Sequence, residues 1–161
     1  MLFFYLNMGG PDPSSSRPMH TLSIDDEKKF QHCNDAHKMA YDSVSPLEFK
    51  LSELTITIYC YGDAHRAIRV STESENDKYY IALATARACM ERGFNILSHN
   101  CVQVCAFVLS SIDEKFAQEG NFMFPGSFDS AIERHYSDAI AEHHEKYRSS
   151  WMKKFFLKNN Q

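Results

Sequence analysis

The sequence predicts an α+β domain in which a small antiparallel sheet packs against helices. Three observations predict it. Short β-branched and aromatic runs crowd the chain up to Ser71, the apolar period turns helical at Thr72, and it stays helical over most of the remaining residues. With 161 residues, 43% of them hydrophobic and 13% aromatic, the chain can close one core without disulfides or a metal. A single domain over 1–161 is expected, carrying a basic, aromatic tail from about residue 148.

In chain order, "LFFYLNM" reads as a buried strand, closed by "GGPDPSSSRP", whose Gly, Pro and Ser continue neither strand nor helix. "MHTLSID" reads as a second short strand. Its alternation puts His20 on one face with Leu22 and Ile24. Residues 25–50 are mixed, with a short helix expected around Phe30 to Tyr41 and Pro46 interrupting the stretch beyond it. "SELTITIYCYG" is the clearest strand, and "HRAIRVS" beyond Gly62 is its hairpin partner.

"TESE" has the pattern of a capping box from Thr72 to Glu75, and Tyr79, Leu83, Ala86 and Met90 then recur at helical spacing until Gly93 stops the helix. After the turn at Ser98, His99 and Asn100, residues Cys101, Cys105, Val108, Leu109 and Ile112 form one stripe of a second helix. "QEGNFMFPGS" reads as a loop. "SAIE" at Ser130 to Glu133 then opens a last helix facing inward through Ile132, Tyr136, Ile140 and Tyr147.

Composition narrows the function. A net charge of −4 and a pI near 6.0 give no electrostatic footprint for a phosphate backbone, so no nucleic-acid partner is expected. Five cysteines without paired spacing read as reduced thiols, and "MLFFYLNMGG" lacks a basic n-region, which fits a cytoplasmic protein. No segment approaches the ~20 apolar residues of a membrane span. In the tail, Trp151, Phe155 and Phe156 lie among Lys153, Lys154 and Lys158. That is the composition of a segment that docks on an anionic membrane or a protein, or that packs its rings on the domain.

Cys101 is the candidate for chemistry. A thiol reacts as thiolate, and a helix start supplies free N–H groups and a positive dipole end that favour the anion. A nucleophilic cysteine also needs a base, and His20, aimed from its strand at whatever helix covers that face, has the required direction. Two other readings use the same residues: Cys101 and Cys105 as small core residues with His20 an interior histidine, or His99, Cys101 and Cys105 as part of a zinc site. No cofactor is expected. His135, in a polar helical stretch, and His143 and His144, which lack the i, i+4 spacing of a zinc helix, read as solvated side chains.

"YYIALATARACMERGFNILSHNCVQVCAFVLSSI" resembles the helix, loop, Asn-Cys, helix segment of the permuted papain-like cysteine hydrolases, which include NlpC-like and lecithin retinol acyltransferase-like proteins and some bacterial effectors. In that group the catalytic histidine precedes the cysteine and lies on a strand soon after a first short strand. "FFYLNM", loop, "MHTLSID" is similar to that arrangement and puts His20 in the histidine position. The similarity extends over about residues 2–25 and 66–130; Met19 stands where the group usually has glycine, and Cys105 where an aromatic or aliphatic residue is common.

The resemblance implies a cysteine hydrolase or acyltransferase acting on an amide or ester, with a protein or lipid substrate. It implies a third, orienting residue on a later strand, for which His65 is the candidate and His32 and His37 the competitors. It also admits a catalytically inactive papain-like binding module, and delivery into a host cell as a leaderless effector.

Overall fold

Leu2–Asp12 forms strand β1, and its alternation explains its place: Phe4, Leu6 and Met8 on one face and Phe3, Tyr5 and Asn7 on the other are all buried. A strand apolar on both sides needs cover on both sides. The computed structural model describes residues 1–12, 15–41, 44–120, 122 and 124–137. It continues through β2 (Ser15–Ile24), α1 (Glu27–Tyr41), β3 (Val44–Leu51), β4 (Leu54–Tyr61), β5 (His65–Thr72), α2 (Asp77–Arg92), α3 (Cys101–Ile112) and α4 (Glu114–Ala117). A further helix, α5, covers 125–137. The strands make one antiparallel sheet of order β2-β1-β5-β4-β3, so the expected α+β class is observed.

Register divides the side chains between two cores. Phe4, Leu6 and Met8 of β1 stand opposite Ile24, Leu22 and His20 of β2, and Leu6 opposite Ile68 of β5. This face meets α2, α3 and α5 in the main core, with Val104, Cys105, Val108 and Leu109 of α3 inaccessible to solvent. Each such aliphatic contributes on the order of 1.5–3 kcal/mol by leaving water. The opposite face carries Phe3, Tyr5, Tyr61 and Ala67 against Phe30 and Cys33 of α1.

Five parts of the sequence reading differ from the structure. The stretch "GGPDPSSSRP", expected as a loop, instead extends β1 to Asp12 and begins β2 at Ser15, with pairs Pro11–Pro18 and Asp12–Ser15 reached through register shifts beside Gly9 and Gly10, whose positive φ admits the irregularity. Val44–Leu51 is a strand despite Pro46, which sits in the edge strand of the sheet, where a missing donor is tolerated. Helix α1 begins at Glu27, three residues before the expected start. The cap of α2 is Asn76, whose Oδ1 accepts from the Tyr79 N–H at 2.8 Å, while Thr72 receives a hydrogen bond from the Asn76 amide and buttresses the cap. The last helix begins at 125 rather than Ser130, because proline at a first helical position costs no hydrogen bond. Ile140, Tyr147, His143, His144 and the tail lie outside the described residues.

Candidate functional site

Cys101 is the first residue of α3, and the local sequence fixes it there. Asn100 Oδ1 accepts from the Gln103 N–H at 2.9 Å, and Gln103 Oε1 accepts from the Asn100 N–H at 2.8 Å, a reciprocal capping box. The Gln103 amide also donates to the Leu97 carbonyl at 3.1 Å, tying the preceding turn to the helix. Four of the five cysteines are buried and Cys101 alone is partly exposed.

The Cys101 thiol donates to the Ala64 carbonyl at 3.8 Å, just ahead of β5. Burial pushes its pKa up. The Arg66 N–H, the Arg66 guanidinium and the N–H groups of Val102 and Cys101 itself oppose that rise, as expected at a helix start beside a cation. At rest the sulfur is therefore a thiol with a ready-made set of donors around it. Arg66 is buried, with four of its five side-chain N–H groups engaged. Its Nε and Nη2 donate to the two carboxylate oxygens of Asp129 at 3.1 and 2.8 Å, and its Nη1 to the carbonyls of Gly62 and His65 at 3.0 and 2.9 Å.

His20 lies opposite Met8 in the register, on the sheet face that α3 covers. Its strand is two away from β5, roughly 10 Å at sheet spacing. The ring is exposed, stacks on Phe94 with centroids 5.7 Å apart, and accepts a hydrogen bond at Nδ1 from the Gly9 N–H at 3.0 Å. Partial burial lowers its pKa. The neutral ring thus carries its proton on Nε2, and in this rotamer Nδ1 is occupied by β1.

His65 takes the other face. Its parity in β5 is that of Ala67 and Arg69, and its ring packs on those of His37 and Tyr41, with centroids at 4.7 and 5.6 Å. His65 Nε2 pairs with Asn7 Oδ1, and the Asn7 amide donates to the carbonyls of Gly9 and Met19, both at 3.1 Å. Gly9 donates to His20 and Met19 precedes it in the chain, so His65 is linked to His20 through Asn7 and that backbone. Burial, with the positive fields of His37 and Arg66, lowers the His65 pKa to about 3.

His37 is buried in the same cluster. Its Nδ1 donates to the Cys33 carbonyl at 2.8 Å, burial lowers its pKa, and its Nε2 rests on the backbone of Gly10, whose φ of 87° is a glycine conformation. Beside it the hydroxyls run in one direction: Cys33 Sγ donates to Tyr5, Tyr5 to Tyr61, and Tyr61 to Asn34 Oδ1 at 2.7 Å.

The other candidates lie apart. His32 is exposed on α1. His135 pairs with Glu119 at 2.5 Å, tying α5 to the segment after α4. His99 bonds the Gly93 carbonyl at 2.6 Å and stacks on Phe107, away from Cys105. Among the described residues no group of three or more His, Cys, Asp or Glu is arranged to hold a metal. A cavity of about 220 Å³ lies on the far side of α3, lined by Gln103, Phe107 and Ser110, about half a turn round the helix from Cys101.

Arg66, Asp129, Asn7 and the Gly9–Gly10 pair were not singled out from sequence. One signal was readable: Arg66 shares its strand parity with Ile68 and Val70, a charge on an apolar face. No family model, curated protein or solved structure matches the chain. Among the described residues no helix is long and apolar enough to cross a membrane.

Proposed function

We propose that the chain is a cysteine hydrolase or acyltransferase of permuted papain-like architecture, with Cys101 as nucleophile and His20 as general base, acting on an amide or ester bond of a protein or lipid substrate. The observation that carries this reading is the Cys101 thiol: partly exposed, first in a doubly capped helix, and on the sheet face that holds His20. Turning His20 off the Gly9 N–H frees Nδ1 to take the thiol proton.

The sulfur then adds to the substrate carbonyl carbon while the carbonyl electrons move to oxygen, where the free N–H groups of the first turn of α3 can receive the charge. Collapse breaks the bond to the leaving amine or alcohol, which takes the proton back from His20, and leaves a thioester on Cys101. Water, or a second amine or alcohol, gives up a proton to His20 and expels the cysteine as thiolate, which takes that proton back from His20 to restore the resting thiol. His65 supports the base through Asn7, which holds the β1–β2 backbone on either side of it.

A second reading, an inactive papain-like binding module, is favoured by one observation: His20 Nδ1 is spent on Gly9 while burial keeps Cys101 protonated. Turnover of an ester and amide panel separates the two. Cys101→Ser and His20→Ala should each lower activity by orders of magnitude, with the double variant scarcely worse than either single, and His135→Ala should match the wild type. An active Cys101→Ala protein would refute Cys101 as the nucleophile, whereas inactivity of the wild type on every ester and amide tried leaves the binding module standing.

A further inference from the structure

The charge that faces Cys101 comes from a residue with no freedom to move. Arg66 extends from β5 into the main core, on the face lined by Ile68 and Val70, and is 5% exposed. Four of its N–H groups are directed at fixed acceptors: both oxygens of Asp129 and the carbonyls of Gly62 and His65. The thiol of Cys101 bonds the carbonyl of Ala64, two residues earlier on the same chain segment, and so lies beside the Arg66 backbone N–H and within the field of its guanidinium. As a stabilising device the pair gains little, since apolar residues of similar volume commonly serve a core as well as a buried ion pair does. A preoriented cation beside a sulfur that must become negative is a different matter, because it stabilises the anion without reorganising.

We infer that Arg66 is a positioning residue for the Cys101 thiolate, held by Asp129 so that its charge favours the anion when the proton leaves. The inference rests on Cys101 being the nucleophile, yet it concerns thiol acidity and can be measured without turnover. The other titratable groups around the sulfur are Tyr41 of α1, whose own pKa is raised in part by Cys101, and Cys105 of α3, which also feels Cys60 of β4 and Cys89 of α2. All are neutral below pH ~8, so Arg66 and Asp129 are the charges that count.

The experiment is the pH profile of iodoacetamide alkylation at Cys101, read by peptide mass spectrometry on the full-length protein. Arg66→Gln should shift the profile alkaline and slow alkylation at pH 7 about tenfold, the effect of one pKa unit. Arg66→Lys should recover part of the loss. Asp129→Asn, which leaves Arg66 charged without its counter-ion, should shift the profile the other way and speed alkylation about threefold, a change of roughly half a unit.

Superimposed profiles, or the same direction of shift in Arg66→Gln and Asp129→Asn, would overturn the proposal, since a merely structural tie predicts one of those. If Arg66→Gln does not fold, the sign of the Asp129→Asn shift decides. Opposite shifts in a protein that turns over no ester or amide would uphold this role and remove only the hydrolase reading.

Discussion

Acid should weaken this fold through a histidine buried in its smaller core. His65 is 3% exposed, neutral, and held near a pKa of about 3, against 6.5 in the unfolded chain. Below pH 6.5 the unfolded state takes up a proton that the folded state refuses, so the stability His65 contributes is complete above pH 6.5 and is lost as pH falls toward 3. The slope is about 1.4 kcal/mol per pH unit, which makes the loss about 3 kcal/mol at pH 4.5. That is a large fraction of the ~5–15 kcal/mol by which domains are stable. His37, also lowered by burial, adds in the same direction.

The assay is urea unfolding at pH 7, 5.5 and 4.5 for the wild type and His65→Gln, which keeps an amide to pair with Asn7 and has nothing to titrate. The variant should lose about 2–3 kcal/mol less than the wild type between pH 7 and 4.5. Parallel pH dependences would refute the neutral, buried assignment of His65.

The packing sets three further outcomes. Gly10→Ala sets a methyl against His37 Nε2 at a φ of 87°, and should cost about 3 kcal/mol in urea unfolding, combining left-handed strain with overpacking. Asn100→Ala removes one half of the capping box of α3 and should cost about 1 kcal/mol while slowing Cys101 alkylation, measured together on one preparation. Leu109→Ala, at a site with no solvent exposure, should cost about 3 kcal/mol and leave the alkylation profile of Cys101 in place.

Much of the fold was legible where a period was clean. The alternation of β4 and β5, the helical spacing of Tyr79, Leu83 and Ala86, and the Asn100–Cys101 helix start all appear in the structure, as does the parity that places His20 with Leu22 and Ile24. Proline obscured several elements: Pro11 and Pro18 hid the far end of the β1–β2 hairpin, Pro46 hid β3, an edge strand whose register comes from its partner β4, and Pro125 concealed the start of α5. The site was legible in part. Cys101 could be placed from local signals because a helix cap is local. The surroundings of its sulfur depend on the sheet order β2-β1-β5: alternation along β5 sends His65 and Arg66 to opposite faces, but the partners that meet them there come from distant parts of the chain. Asn7, which links His65 to the backbone beside His20, is visible only once β1 and β5 are paired.

The most direct measurement of the central claim is covalent trapping at Cys101. The protein is mixed with an activated ester, p-nitrophenyl acetate, quenched in acid, and analysed by intact mass and peptide mapping. The account predicts one acetyl group on Cys101, lost on treatment with hydroxylamine, absent from Cys101→Ala and formed far more slowly in His20→Ala, with Cys33, Cys60, Cys89 and Cys105 unmodified because they are buried. Acetylation spread over lysines and unchanged in Cys101→Ala would contradict it.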